Sequence, residues 1–342
     1  MKSRPFLAAR IEDRLNRMLN RLLIRLGWQE SVVAYTGFGT QEQIRVLGRV
    51  VLRPPSQLGI VQAATEIINR RGWRNFIAAP KVNAAATVVI GEERIGIVAD
   101  RGGYVDVRLR NPGLRPGWHS IQIDGAAGAS TLAPVQVIDS EETFGIVSDI
   151  DDTIISTWLP RPMVAAWNSF VLTEQARQAV PGMARLYQQL LAEHPGAPII
   201  FVSTGAWNTY PMVRRFCARH GIPDGAMLLT DWGPTNTGWF RKGPEHKRTC
   251  LRELARDLPN IRWLLVGDDG QHDPSLYAEF ATLQPDHVRA RAIRELSPAE
   301  HALAHGTLTE QASDDQTWNP DTAPEVRAPD GDGLADKLRR II

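Results

Sequence analysis

Residues 144–154 read "FGIVSDIDDTI": an apolar run from Phe144 to Val147 drives straight into three aspartates within four positions. Two further acidic or hydroxyl-bearing segments also follow apolar runs. "APIIFVS" ends in Ser203-Thr204-Gly205, and "IRWLLV" ends in Gly267-Asp268-Asp269-Gly270. In extended backbone, residues two apart share a side, so Asp149 and Asp151 could face one site while Asp152 points away. Carboxylates gathered there, with Asp268 arriving from another strand end, repel one another. A hard divalent cation relieves that repulsion, and Mg²⁺ takes a few carboxylate oxygens plus waters and a phosphate. Each segment taken alone has a plain alternative: a turn, a helix cap or a solvated loop. Their shared position after apolar strand candidates favours the metal site.

Lys247 sits near the start of the helical pattern "PEHKRTCLRELARDL". A cation at a helix N-terminus opposes the macrodipole, so a lysine there is disfavoured unless it meets negative charge. An aspartate cluster and a phosphate would supply that charge. Lys242 is the rival for the role.

The elements that must carry these residues form the second half of the chain. From about residue 141, apolar runs alternate with helical patterns at about 182–193, 208–220 and 246–257. Such alternation predicts βαβ units and a parallel sheet covered on both faces, with ligands bound beyond the carboxyl ends of the strands. Residues 29–140 read differently, as short β-rich runs punctuated by Gly, Pro and Asn/Asp, with one helical interlude at "QLGIVQAATEIINRRGW". That pattern predicts a β-sandwich-like domain. It contains no nucleophile or metal-ligand constellation. The small basic–aromatic cluster of Arg70, Arg71, Trp73 and Arg74 is explained equally by a solvated helix end.

In residues 1–28, seven Lys/Arg accompany two acids, and Ile11, Leu15, Met18, Leu19, Leu22, Leu23 and Leu26 recur at helical spacing beside an arginine stripe. Two readings fit: a helix on an anionic membrane surface, or a helix packed on its own domain with solvated arginines. Residues 301–342 are expected to be an acidic flexible tail, ending in "GLADKLRRII" as a short docking helix.

Composition bounds the function. The chain has 342 residues, 43% of them hydrophobic, and a formal net charge of +1, which gives no bias towards nucleic acid. Two cysteines, Cys217 and Cys250, argue against a disulfide framework. No stretch is long and apolar enough to span a membrane. A cytoplasmic location is expected, with peripheral membrane contact through residues 1–28 as an option.

Asp149–Thr153, Ser203, Lys247 and Asp268 stand in the order of the four motifs of the haloacid dehalogenase (HAD) superfamily. The segments "DIDDTI", "FVSTGAWNTYP", "RFCARHGIPDG", "HKRTCLRELARDLPNIRWLLVGDDGQHDP" and "VRARAIREL" further resemble the catalytic domain of App1-type phosphatidate phosphatases over residues 143–295. The resemblance implies a HAD-like doubly wound parallel sheet over 141–300 and an Mg²⁺-dependent phosphatase. Asp149 would be the nucleophile and Asp151 the general acid–base. Asp149, the Asp151 carbonyl and Asp268 would hold the metal. Ser203, Thr204 and Lys247 would bind the phosphoryl group, and Asp273 would lie in the outer shell. Two departures, "STGAWN" for the family's "SSSPWN" and "GDDGQ" for "GDSGQ", leave Ser203 and Asp268 in place but alter Thr204, Ala206 and Asp269 beside them.

Only 49 residues separate Thr153 from Ser203, and 43 separate Ser203 from Lys247. That leaves little room for a cap domain, so a large or membrane-held phosphoester suits the site. "STWLPRPMVAAWNSF" (156–170) is the flap candidate. Trp158, Trp167, Trp207, Trp232 and Trp239 could line an acyl groove or simply pack. A lipid phosphate is the expected substrate. Another large phosphoester, or a non-catalytic binding role on the same scaffold, is the alternative.

Overall fold

The computed structural model describes residues 7–55, 78–156, 178–230, 243–270, 272–305 and 323–342. The helical interlude with Arg70, Arg71, Trp73 and Arg74, most of the flap candidate with Trp158 and Trp167, and Trp232, Trp239 and Lys242 lie outside these residues. The chain divides into two compact units. One is Met1–Ser140 with Ala206–Tyr210 and Thr230–Lys242; the other is Glu141–Gly205 with Pro211–Leu229 and Gly243–Ile342.

The first unit opens with helix α1 (Leu7–Arg25), followed by β1 (Gln29–Thr40), β2 (Gln43–Arg53), β3 (Ala79–Pro80), β4 (Ala85–Ile90), β5 (Glu93–Val98), β6 (Tyr104–Arg110), β7 (Gly117–Gly125) and β8 (Ser130–Ile138). They form one eight-stranded sheet in the order β3-β2-β1-β8-β7-β4-β5, with β6 also on β2. Every pairing in it is antiparallel except β1 with β8. Alternate residues point to one side: Ile44 and Val46 on β2, Val88 and Ile90 on β4, Ile121 and Ile123 on β7, Val135 and Val137 on β8. All belong to a single buried cluster. Strands distant along the sheet share this core, so the sheet curls on itself. Each such side chain contributes about 1.5–3 kcal/mol by leaving water.

In the second unit come β9 (Phe144–Ser148), β10 (Ile155–Ser156), β11 (Gln178–Ala179), α2 (Met183–Glu193), β12 (Ile199–Ala206), α3 (Tyr210–His220), β13 (Ala226–Thr230), α4 (Gly243–Asp257), β14 (Arg262–Asp268), α5 (Asp273–Leu283), β15 (Val288–Arg294), α6 (Pro298–His305), β16 (Glu325–Ala328) and α7 (Gly331–Leu338). Six strands pair in the order β13-β12-β9-β14-β15-β16. The pairings β12–β9, β9–β14, β14–β15 and β15–β16 are parallel. β9 is buried along its whole length, at the middle of this order. Gly145 permits the close approach of β14, since a Cβ there would lie 2.6 Å from the Trp263 ring.

The fold class expected from sequence needs correction. A HAD-like doubly wound parallel sheet beside a β-sandwich-like domain does not describe this chain. It is mixed α/β, with more strands than helices among the described residues, and its larger sheet is curled and mostly antiparallel. The reason lies in long-range pairing. Local runs of β-rich sequence mark strands but not their neighbours, and the β1–β8 pairing joins Gly37 to Val135, closing into one sheet what reads locally as material for two.

Residues 325–338, within the segment expected to be a flexible tail, form β16 and α7. Asp330 caps α7 by accepting from Gly333 N at 2.8 Å, and Leu334 and Leu338 are buried. Among the described residues, no helix is long and apolar enough to cross a membrane.

Candidate active site

The site is built on three neighbouring strands of the second unit, at the ends of β9 and β14 and within β12, which continues past Ser203 to Ala206. β9 ends at Ser148, whose Oγ lies 2.7 Å from the Tyr187 hydroxyl and donates to the Asp149 carbonyl at 2.7 Å. The Asp149 N–H donates to Val266 O of β14 at 2.9 Å, so the strand register continues into the first aspartate. The chain then turns sharply. Asp152 has φ +59°, and its N–H donates to Ile155 O at 2.8 Å.

Asp149 is buried, and its Oδ1 lies 2.8 Å from Lys247 Nζ. Lys247 reaches it from the second turn of α4 and lies 2.5 Å from Asp273 Oδ1. Asp273 is the first residue of α5, where a carboxylate suits the helix dipole. Asp268 closes β14; its Oδ1 accepts from Gly270 N at 2.7 Å, and its Oδ2 accepts from Thr153 Oγ1 at 3.4 Å. One carboxylate oxygen from each of Asp149, Asp268 and Asp273 lies within 4.8 Å of the others.

Ser203 and Asp151 form a second pair. Ser203 Oγ donates to Asp151 Oδ2 at 3.1 Å and accepts from Gly205 N at 2.9 Å. Asp151 is exposed, unlike Asp149, and Thr204 is exposed too. These elements therefore bring Asp149, Lys247 and Asp268 into one buried cluster, and Asp151 and Ser203 into contact beside Asp149 in sequence. The Asp151 carboxylate is not among the three that cluster. Asp273, expected in an outer shell, contacts Lys247 directly and is one of those three. The sequence signal was its place at the head of the helix after β14.

Asp269, the departure in "GDDGQ", accepts from Leu296 N at 2.9 Å and lies 3.2 Å from His301 Nε2. Trp207 stacks on Tyr35 within the first unit, with ring centres 4.4 Å apart.

Burial raises Asp149 well above the usual carboxylate range, with Lys247 pulling against it and Asp273, Asp268 and Asp151 adding to it. Burial likewise pushes Asp268 to about 8, helped by Asp273 and Asp152 and opposed by Lys247. For Lys247, burial would lower the pKa, but Asp149 and Asp273 outweigh it, so the ammonium persists above its ordinary range.

Three carboxylates against one ammonium leave a formal excess of two negative charges when all are ionised. A single divalent cation cancels that excess. The local structure fits one. Asp273 Oδ2 is buried with no hydrogen-bond partner. The missing Cβ of Gly267, which would sit 2.6 Å from that same oxygen, leaves it room. Asp149, Asp268 and Asp273 could thus hold a metal ion.

The comparisons with known proteins fall on this unit. Residues 144–295 match the family model "Phosphatidate phosphatase APP1, catalytic domain". An uncharacterized protein of Schizosaccharomyces pombe is 24% identical over 166 residues, covering 48% of this chain and 27% of that protein. Phosphatidate phosphatase APP1 of Saccharomyces cerevisiae is 24% identical over 152 residues, covering 44% of this chain and 25% of that protein. The chain thus matches about a quarter of the length of these curated relatives. Among solved structures, a carbohydrate acetylesterase from Xanthomonas citri aligns at 12% identity with a TM-score of 0.29, over 82% of this chain and 76% of that one. A score that low bears on neither fold nor function. Asp149, Ser203, Lys247 and Asp268 all lie inside the matched span: residues 144–295 of this chain are similar to the APP1 phosphatidate phosphatase catalytic domain.

Proposed function

We propose that this chain is an Mg²⁺-dependent phosphatase of phosphatidate or a related lipid phosphate, working through an aspartyl-phosphate on Asp149. The observation that carries the reading is the buried Asp149–Lys247–Asp273 arrangement beside Asp268, inside the span that matches the APP1 catalytic domain.

Burial would protonate Asp149 and silence it as a nucleophile, and Lys247 offsets only part of that shift. The ammonium of Lys247, 2.8 Å away, favours the carboxylate and orients one of its oxygens. The other oxygen attacks phosphorus. The bond from phosphorus to the lipid oxygen breaks, and the leaving alkoxide takes a proton from Asp151. Ser203 Oγ, which donates to Asp151 Oδ2, holds that carboxyl group in place. In the second half, Asp151 takes a proton from water as the water oxygen attacks the phosphoryl group. The Asp149–phosphorus bond breaks, inorganic phosphate leaves, and Asp149 returns as a carboxylate. Lys247 donates to the transferring oxygens, and Ser203 turns its one hydroxyl proton from Asp151 to them once substrate is bound, with Thr204 at the exposed edge. Asp149, Asp268 and Asp273 would hold Mg²⁺ through carboxylate oxygens, with the Asp151 carbonyl as a further ligand. When bound, the cation supplies neutralisation of phosphoryl charge and in-line alignment.

The test is phosphate release from phosphatidate in mixed micelles with Mg²⁺, wild type against Asp149→Asn, with a soluble phosphomonoester in parallel. The expected outcome is metal-dependent release from the lipid that falls about 10⁴-fold or more in the variant. Release from the soluble ester alone would keep the site and remove the lipid. Equal release by both proteins would remove Asp149 as nucleophile.

A further inference from the structure

Much of the amphipathic stripe of α1 does not pack the helix onto its own unit: Leu15, Met18, Leu19 and Leu22 are exposed, and Leu23 is half-buried. Asn20, which is buried, bonds the helix to the sheet. Its Nδ2 donates to Pro80 O at 2.9 Å, and its Oδ1 accepts from Val82 N at 3.1 Å. At about 100° per residue, Leu15, Met18, Leu19 and Leu22 occupy an arc well away from Asn20. That arc is exposed, from 44% for Leu19 to 69% for Met18, and Leu26 continues it at 61%. On one flank of that arc, about 100–140° around the helix from Asn20, Arg14, Arg21 and Arg25 fall close together and are exposed as well. Residues 14–25 carry four arginines and no acid.

An apolar row of this kind costs free energy in water and is seldom left exposed without a partner. The arginine row beside it names the partner's charge. A helix buried to half its depth at a lipid interface places leucines among acyl chains and arginines at the phosphate level. We infer that α1 docks on anionic membrane surfaces, with Leu15, Met18, Leu19 and Leu22 inserted and Arg14, Arg21 and Arg25 at the headgroups. A second copy of this chain fits less well, because antiparallel pairing of two such helices would set arginine rows against each other. The inference is independent of the phosphatase reading.

The full chain is sedimented with vesicles of phosphatidylcholine containing phosphatidylglycerol, and with phosphatidylcholine alone. Phosphatidylglycerol offers negative charge without a phosphomonoester, so capture by the active site does not contribute. Wild type and Asp149→Asn are expected to bind the anionic vesicles equally, and to be released by high salt. Replacing Arg14, Arg21 and Arg25 together by Gln should weaken partitioning roughly a hundredfold. Met18→Asp with Leu22→Asp should abolish it. All five positions are exposed, so both variants should keep the wild-type circular dichroism and activity on a soluble phosphomonoester. Wild type left in the supernatant, or variants that bind as well as wild type, would overturn the inference. So would concentration-dependent self-association, seen by light scattering and lost in Met18→Asp/Leu22→Asp, with no vesicle binding at all.

Discussion

At the scale of single residues, the site is a contest between burial and charge. Asp149 and Asp268 are both buried carboxylates, and Lys247 is the nearby cation that opposes their protonation. The sign of the resulting pH dependence follows from linkage. Asp268 has a folded pKa of about 8 against an ordinary 3.8. Between those values the folded chain keeps a proton that the unfolded chain has lost. Stability of the metal-free protein therefore falls as pH rises through that window, and Asp149 shifts in the same direction. A divalent cation needs the ionised carboxylates, so it competes with those protons. The expected result is a lower melting temperature in chelator at about pH 8.5 than at about pH 5.5, with added Mg²⁺ restoring far more at the higher pH. Scanning fluorimetry at the two pH values, with chelator and with Mg²⁺, reads it. An equal Mg²⁺ shift at both would mean that these carboxylates do not hold the ion.

At the scale of elements, the end of β15 holds the site loop in shape. Arg294 is buried, and its Nη1 donates to Asp152 O at 2.7 Å, fixing the residue whose left-handed backbone turns the loop between Asp151 and Thr153. Its Nη2 donates to Glu300 Oε1 at 2.6 Å. Glu300 Oε2 in turn accepts from Ser297 N at 2.8 Å, and Ser297 Oγ accepts from Glu300 N at 3.3 Å, a reciprocal cap at the start of α6. Burial works against the Glu300 carboxylate, but Arg294 and Ser297 prevail and hold it below its ordinary range. Its contribution is thus complete above the ordinary glutamate pKa and fades as pH falls through the lower folded value. Arg294→Ala removes the charge partner of the half-buried Glu300, which keeps Ser156 and Ser297 as donors, and frees the Asp152 carbonyl. It should cost about 3 kcal/mol in urea melts and lower kcat more than it raises KM, because Asp151 adjoins the freed residue. Glu300→Gln keeps the cap's shape and should cost about 1–2 kcal/mol with kcat little changed. Equal effects of the two on kcat would mean that Arg294 acts on stability alone. None of this linkage is legible in the sequence, where Arg294 and Asp152 lie 142 positions apart. The strand ends are legible, because an apolar run that stops at a charged residue marks its own terminus. Asp149 and Asp268 are found that way, whereas Ser203, expected at a strand end, lies inside β12, which runs on to Ala206. Asp273 is half legible: its place at a helix start is plain, but that it meets Lys247 depends on how α4 and α5 pack. The curled sheet is hidden for the same reason, since its closure rests on the β1–β8 pairing of distant segments.

At the scale of the whole molecule, the chain holds two cores with different tasks. The first unit buries a continuous apolar cluster under a curled sheet and supplies none of the site residues found among the described positions. The second unit holds Asp149, Ser203, Lys247, Asp268 and Asp273 on elements that all pack into or against its six-stranded sheet. A ligand that binds only the folded second unit stabilises it by mass action, about 2.7 kcal/mol at a hundred times Kd. Amides that exchange only when that unit opens should slow by a similar factor of about a hundred. Hydrogen exchange of the full chain with chelator and with saturating Mg²⁺ separates the units. Peptides covering β9, β12 and β14 should gain protection, and peptides covering β2, β4 and β7 should not. Asp149→Asn removes one of the three carboxylate ligands and should shrink the gain in the second unit without touching the first. Protection spread evenly over both units would mean that they open together, and the first unit would then owe part of its stability to the metal. Protection in neither would take the cation away from Asp149, Asp268 and Asp273, leaving Lys247 as the sole counter-charge in the cluster.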